Sequence, residues 1–393
     1  MKQTEVGLIP DDWEVKRLGE LCSFHNGVAH EDYVDDNGEF ILVNSKFISS
    51  DTKSKKYSKK QLLKVEENTI LMVMSDVPNG KAIAKCFLVP SKFQGTLNQR
   101  ICMFSEFKMN REFAYRIINR NPYYLSFDDG IKQTNLRKID VLNCPIPLPP
   151  LPEQQRIAKA LSDVDALIFA TEKLLQKKKN IKQGTMQELL TGKKRLPGFV
   201  PVVVEPAETT GYKQTELGLI PEDWEVKNVG SLLKIGHGRD YKKLKEGAVP
   251  VFGTGGYMTS VNDYLYDGDT VCIGRKGTID KPFFHTGKIW TVDTLFYTYD
   301  FVNCIPKFIY YAFCLVDWLS MNEASGVPSL TSKNIEDVFL CIPSNVSEQT
   351  AIVNVLSDMD AEIEKLSAKL QKYHQLKTAM MQQLLTGKIR LVN

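Results

Sequence analysis
The sequence predicts an α+β chain built twice over, with two α/β domains separated by two long helices that pack as an antiparallel coiled coil under a pseudo-two-fold internal duplication. Three observations carry this expectation. Residues 153–196 align without a gap on residues 348–391, at a constant offset of 195, and agree at 22 of 44 positions. Residues 2–19 (KQTEVGLIPDDWEVKRLG) return as residues 213–230 (KQTELGLIPEDWEVKNVG), with 14 of 18 positions identical. The third observation is a periodicity inside the longer repeat.

In its second copy, Ile352, Leu356, Met359, Ile363, Leu366, Leu370, Tyr373, Lys377, Met380 and Leu384 follow alternating steps of four and three. Such heptad spacing keeps an apolar seam on one face of a long helix, and only Lys377 interrupts it. The first copy keeps Ile157, Leu161, Val164, Ile168, Leu175 and Leu189 in register and adds Leu167, Leu174 and Ile181 on an adjoining line, a wider and less regular stripe. A helix of about 38 residues is roughly 57 Å long, too long to be ordinary packing inside a small domain. Each seam therefore needs a partner, and the other copy is the simplest one. A rod of that length matches about 17 base pairs of B-DNA; a duplicated helical scaffold that touches no DNA gives the same pattern.

Each half runs from opening segment through variable region to long helix. The predicted division is 1–150 for the first domain, 151–195 for the first helix, 196–212 for an extended linker, 213–345 for the second domain and 346–393 for the second helix. Trp13 and Trp224 open short amphipathic runs (WEVKRL, WEVKNV) and are expected to anchor a local core. The first variable region has strand composition at 40–44, 69–74, 81–89 and 100–104, and the second at 249–253, 269–274, 281–285 and 294–299. Each region closes with a helical stretch, at 111–120 and 307–316. The halves then realign at Ile146-Pro147 and Ile342-Pro343. Between these markers the two sequences have diverged almost completely. A repeated frame with two unlike inserts implies that the frame docks something common to both halves while each insert handles something different.

At 393 residues the chain has material for two or more cores, and 43% hydrophobic with 25% charged residues is the composition of a soluble globular protein. The net charge of +3 announces no polyanion partner, so any such surface must come from local clustering. Eight cysteines include no C-x-x-C pair and no nearby His cluster, which points to buried thiols in a reducing compartment rather than a metal site. No signal-like run and no apolar stretch of membrane-spanning length is present, so a cytoplasmic protein is expected.

Two fragments imitate catalysis. Asn121-Pro122-Tyr123-Tyr124 is similar to the N-P-P-Y motif with which amino-methyltransferases hold a flipped base, and Phe252-Gly253-Thr254-Gly255-Gly256 to an S-adenosylmethionine loop. Neither has its context: a proline is replaced, the fragments lie in different halves, and no strand-loop-helix with a following acidic residue surrounds the glycines. A helix-ending Asn-Pro and a Gly-rich hairpin are the expected structures. There is no P-loop, and the five histidines show no triad-like grouping; His25 and His237 read as loop residues.

Basic and amide side chains cluster more tellingly. Lys53, Lys55, Lys56, Lys59 and Lys60 crowd one loop of the first region, and Asn98, Gln99 and Arg100 follow later. In the second region Arg239, Lys242 and Lys243 surround Tyr241, and Arg275, Lys276 and Thr278 lie in a tight turn. Lys and Arg at such places neutralise phosphates, while Arg, Asn and Gln read base edges; solvated charged loops remain the simpler account of each cluster.

The frame resembles the specificity subunit of type I restriction-modification systems. The residues that carry the resemblance are Gly7-Leu8-Ile9-Pro10 with Trp13, Ile146-Pro147-Leu148-Pro149-Pro150 with Glu153-Gln154, the echo Ile342-Pro343 with Glu348-Gln349, and the helix ends 189–193 and 384–388 (LLTGK in both). The second half has Ser344-Asn345-Val346-Ser347 in place of the Pro-rich run. The resemblance implies two target-recognition domains, each reading one half of a split, asymmetric double-stranded DNA sequence. It also implies paired helices that act as a ruler and dock two methyltransferase (modification) subunits. Those partners would bring S-adenosylmethionine and, with the ATP- and Mg-dependent restriction subunits, cleavage. The chain itself is expected to hold no cofactor and to be no enzyme; a self-sufficient DNA adenine methyltransferase and a scaffold without DNA contact are the competing readings.

Overall fold
The computed structural model describes residues 1–78, 80–200, 211–322 and 324–392. The chain forms two compact units, Met1–Thr171 with Lys369–Asn393, and Glu172–Ala368. The boundary falls inside both long helices, Leu151–Leu189 and Val346–Leu384, each of 39 residues. Each unit thus takes part of both helices, whereas the sequence division set each helix apart. Of the predicted linker, residues 201–210 lie outside the described residues; Leu196 packs on the core of the second unit, and Tyr212 already begins a strand. Among the described residues no helix is long and apolar enough to cross a membrane.

In the first unit, a four-stranded antiparallel sheet runs in the order Ser23–Asn26, Ile101–Ser105, Ile70–Val73, Cys86–Leu88. Every residue of Ile70–Val73 is buried, because the sheet is covered on both faces. Ile70 and Met72 join a core with the helix Arg111–Ile118 and the start of the first long helix, while Leu71 and Val73 face a second core beneath another sheet. That smaller sheet is ordered Gly95–Leu97, Phe40–Val43, Tyr57–Ser58, its first pair parallel. Alternate side chains of one strand serve two cores, which explains why the strand reads as a continuous apolar run.

The second unit repeats this plan with other residues. Its sheet Lys234–His237, Leu295–Tyr299, Thr270–Gly274, Phe283–His285 has the same order and the same antiparallel pairings. Its other sheet again contains one parallel pair, Glu246–Gly253 with Lys288–Thr291. The helix Pro306–Phe313 occupies the place of Arg111–Ile118, and each closes the strand-helix core of its own unit. The two variable regions are therefore one topology, although little sequence identity survives between them. The glycine-rich fragment is the turn of a hairpin, Phe252 paired with Tyr257 and Gly253 with Gly256. Asn121 caps the short helix Pro122–Leu125 rather than ending one, its side chain accepting from Tyr123 N at 2.9 Å. His25 and His237, expected in loops, lie in strands because their edges pair with Met103 and Phe296.

The repeated frame closes each unit through one cluster. Trp13 Nε1 donates to Glu153 Oε2 at 3.0 Å, Arg390 Nε donates to Glu153 Oε1 at 2.7 Å, and the same guanidinium reaches both Asp12 oxygens at 2.9 and 2.8 Å. In the second unit Trp224 Nε1 donates to Glu348 Oε2 at 3.1 Å, Arg195 Nε to Glu348 Oε1 at 2.9 Å, and Arg195 also grips Asp223. Beside each carboxylate a glutamine ties the variable region to the frame: Gln154 Oε1 accepts from Asn110 N and Gln349 Oε1 from Ile305 N. Gly387 and Gly192 end the long helices at φ +68 and +71, and a Cβ on either would lie 2.4 Å from Pro10 or Pro221. Left-handed backbone and close approach to a ring together require glycine there.

Along the helices, Ile157, Leu161, Val164, Ile168, Leu189, Ile352, Leu356 and Leu384 are buried. Leu175, Met359, Ile363, Leu366, Leu370, Tyr373 and Met380 are half-buried. Lys377, the break in the seam, places Nζ 2.7 Å from Asp165 in the first unit, so an ion pair stands where apolar contact would be. In the second unit Lys178 meets Glu362 at 2.7 Å and Lys182 meets Asp360. The adjoining line is not covered: Leu167, Leu174 and Ile181 are 47, 41 and 43% exposed.

Arg195 and Glu348 are 4% and 1% exposed, and removing one partner of a buried pair leaves the other charge uncompensated, at about 3–5 kcal/mol. Arg195→Ala should therefore lower the urea midpoint of the second unit's transition, and adding Glu348→Gln should recover part of the loss. An unshifted midpoint in the single variant would show that the cluster is not stabilising.

Candidate nucleic-acid interface
Where the two sheets of each unit meet, the backbone makes one crossing that recurs in both. In the first unit, Gly27 N donates to Ile101 O at 2.9 Å, Val28 N to Leu97 O at 3.0 Å and Ile101 N to Asn98 O at 3.0 Å. In the second, Gly238 N donates to Leu295 O at 3.3 Å, Arg239 N to Thr291 O at 2.8 Å and Leu295 N to Val292 O at 2.9 Å. Glycine is required at the crossing point: a Cβ on Gly27 would lie 1.9 Å from Asn98 O, and one on Gly238 1.9 Å from Val292 O. A third segment joins each crossing. Met74 N donates to Arg100 O and Leu136 N to Met74 O; likewise Arg275 N donates to Thr294 O and Leu330 N to Arg275 O. The loops 98–100 and 292–294 are thus structural equivalents with dissimilar side chains.

The predicted residues fall on this crossing to different degrees. In the second unit the structure brings two separate sequence clusters together. Arg239 leads out of the crossing, and Arg275 and Lys276 both donate their amides to Thr294 O, at 2.8 and 3.3 Å. Beside them lies an open cleft of about 740 Å³ lined by Tyr241, Lys242, the hairpin residues 253–258 and Val292-Asp293-Thr294. Tyr241 is half-buried and packs on the Val251–Trp290 cluster, so part of its ring serves the fold. Lys243 is exposed, and Thr278 sits in the turn that folds over Gly274.

In the first unit the crossing carries Asn98, Gln99 and Arg100. Asn98 Oδ1 accepts from Gln99 N at 2.8 Å, and Gln99 Nε2 donates to Glu31 at 2.8 Å. The lysine loop is elsewhere. It flanks Tyr57–Ser58, on the far side of Phe40–Val43 from Gly95–Leu97, two strand spacings or roughly 10 Å from the crossing. Lys59 pairs with Asp35 at 2.7 Å and holds that carboxyl below its usual range. Lys60 lies over the Tyr33 ring at 4.5 Å, and Lys53, Lys55 and Lys56 are exposed.

Sequence reasoning missed Gln133, whose amide donates to Ser75 Oγ at 2.7 Å beside the first crossing, and Tyr257, Asp293 and Thr294 around the second. No local pattern marks them, because they converge from segments tens of residues apart. Burial pushes the thiols of Cys22 and Cys144 up to about 12 and that of Cys304 to about 11, which keeps them protonated at neutral pH. Among the described residues no group of three His, Cys, Asp or Glu is placed to hold a metal.

A family model described as type I restriction modification DNA specificity domain matches residues 10–183 and 221–372, one copy per half. The chain belongs to this family. A Methanocaldococcus jannaschii protein assigned as the type I restriction enzyme MjaX specificity subunit is 26% identical over 443 residues, covering 99% of this chain and 96% of the relative. The MjaVIII specificity subunit of the same organism is 28% identical over 60% of this chain and 52% of its own. The fold matches the crystal structure of a type I restriction-modification S subunit from M. genitalium with a TM-score of 0.64 at 15% identity, covering 98% of each chain. A chain from a structural study of the assembly of a type I system matches with a TM-score of 0.54 at 16% identity, covering 97% of this chain and all of that one.

The crossing leaves no room for a side chain on glycine. Gly238→Ala should destabilise the second unit by about 1–3 kcal/mol, the usual range for forcing an extra methyl into a packed site, and should speed hydrogen exchange at the Arg239 amide. Wild-type exchange at that amide would mean the loop 292–294 yields freely.

Proposed function
We propose that the chain is the DNA sequence-recognition subunit of a type I restriction-modification complex in the cytoplasm, each unit reading one half of a bipartite, asymmetric target. The observation that carries this reading is the recurrence of one backbone crossing with unlike side chains, Asn98-Gln99-Arg100 in one unit and Val292-Asp293-Thr294 in the other, on a frame repeated almost unchanged. A common scaffold docks a common partner, and different loops read different sequences.

In this reading the long helices pair as an antiparallel coiled coil. Two features support it: the burial of the seam, and ion pairs whose members rise in one helix as they fall in the other, from Lys178–Glu362 to Lys182–Asp360. The pair fixes the gap between half-sites and docks two methyltransferase subunits, through which the restriction subunits join. S-adenosylmethionine belongs to the methyltransferase subunits, and ATP with Mg to the restriction subunits. Methyl transfer and cleavage take place there, and this chain supplies address rather than chemistry. The exposed lysines at 53, 55 and 56 contribute phosphate contacts, which position without specifying.

Specific binding by the assembled complex should weaken steeply as salt rises, with a slope of about −0.9 per neutralised phosphate; salt-insensitive binding would favour a scaffold without DNA contact. The isolated chain should not bind S-adenosylmethionine on titration, and stoichiometric binding would favour a self-sufficient methyltransferase. Inserting four residues near Gln176 lengthens the helix by roughly 6 Å, about two base pairs. The gap in the methylated motif should change accordingly, and an unaltered gap argues against the ruler.

A further inference from the structure
The arginines of the chain divide sharply by partner. Of eleven, nine donate at least one side-chain hydrogen bond to a carboxylate, amide or carbonyl oxygen within the chain. Arg100 and Arg239 do not: among the described residues neither guanidinium has a hydrogen bond or ion pair, and both are exposed. There is one in each unit, and both lie at the backbone crossing. They reach it from opposite arms. Arg100 belongs to the loop 98–100, where its carbonyl accepts from Met74 N at 3.0 Å, while Arg239 follows the crossing glycine and donates its amide to Thr291 O at 2.8 Å.

We propose that Arg100 and Arg239 are the guanine-reading residues of the two units, so that each half-site contains a G·C pair, read from a different arm of the same crossing. This deepens the proposed function and rests on it. A guanidinium presents a planar fork that matches O6 and N7 of guanine in the major groove, a two-point contact that lysine cannot make. Such reading needs a backbone that does not shift, since a fork displaced by an ångström loses one of its bonds. The crossing supplies that: the amides of Asn98 and Ile101 and the carbonyls of Asn98 and Arg100 all have backbone partners, as does the amide of Arg239, whose carbonyl accepts from the side-chain Nε1 of Trp290 at 2.9 Å. A phosphate contact requires none of this and is met by the exposed Lys53, Lys55 and Lys56. Because Arg239 corresponds to Val28 by its place after the glycine, and Arg100 to Thr294, the two forks address different positions within their half-sites.

The test uses the full chain co-expressed with its cognate modification subunit. Arg100→Ala and Arg239→Ala are made separately, with methylated motifs mapped and binding to the wild-type motif measured across salt. Each variant should accept other bases at one position, in one half-site for the first and in the other half-site for the second. Affinity for the wild-type motif should fall about 10- to 100-fold with the salt slope nearly unchanged. Arg→Lys should restore neither. A loss uniform across sequences with a slope reduced by about one identifies phosphate contacts and overturns the proposal, as does an unchanged motif, or both variants relaxing the same half-site. A wild-type complex that shows no sequence preference would instead overturn the underlying function, so the two failures are told apart.

Discussion
Two buried carboxylates, one in each unit, hold the units closed. Glu153 and Glu348 are each 1% exposed, and a carboxylate so far from water is tolerable only with its charge matched and its oxygens occupied. Trp13 and Arg390 do this for one, Trp224 and Arg195 for the other. The indoles are fully buried, so each cluster couples apolar packing to a charge pair. The arginine follows the end of one long helix and the glutamate lies at the start of the other. Each unit is therefore closed by residues from both helices, and the motif at the start of each copy meets the motif at the end of the other.

That contact explains what the sequence revealed easily. Trp, Asp, Glu-Gln, the Thr-Gly turn and the following Arg recur because each has a partner that only its own chemistry satisfies, and identity at fixed offsets is visible without a structure. The strands of the variable regions were legible for a weaker reason. Runs such as Ile70–Val73 and Thr270–Gly274 are buried on both faces, so they read as continuous apolar stretches. The shared topology of the two regions was not legible, since burial constrains size and polarity at each position but not identity.

The candidate site was harder still. Arg239 and Arg275 stand out as basic residues in turns, yet nothing local shows that both abut the loop 292–294, because contact between them is set by sheet order. The lysine loop misleads about its place rather than its charge. Its charge density draws notice, but it borders the edge strand Tyr57–Ser58, and two of its five lysines are already engaged with Asp35 and Tyr33. The stripe of Leu167, Leu174 and Ile181 also misleads, since periodicity marks a face of a helix without saying whether that face is covered. Division of labour follows from these differences. The residues of the Trp–Glu–Arg–Asp cluster recur in both halves, and residues that face outward at the crossing do not.

The first unit is assembled from Met1–Thr171 together with Lys369–Asn393, whereas the second is the unbroken segment Glu172–Ala368. During synthesis the order of completion is therefore inverted. The segment made second has all its parts while the segment made first still lacks Arg390, and Glu153 stays without its cation until residue 390 has been added. Chains halted before residue 369 would carry a finished second unit and an open first one, so that Lys369–Asn393 close what Met1–Thr171 begin.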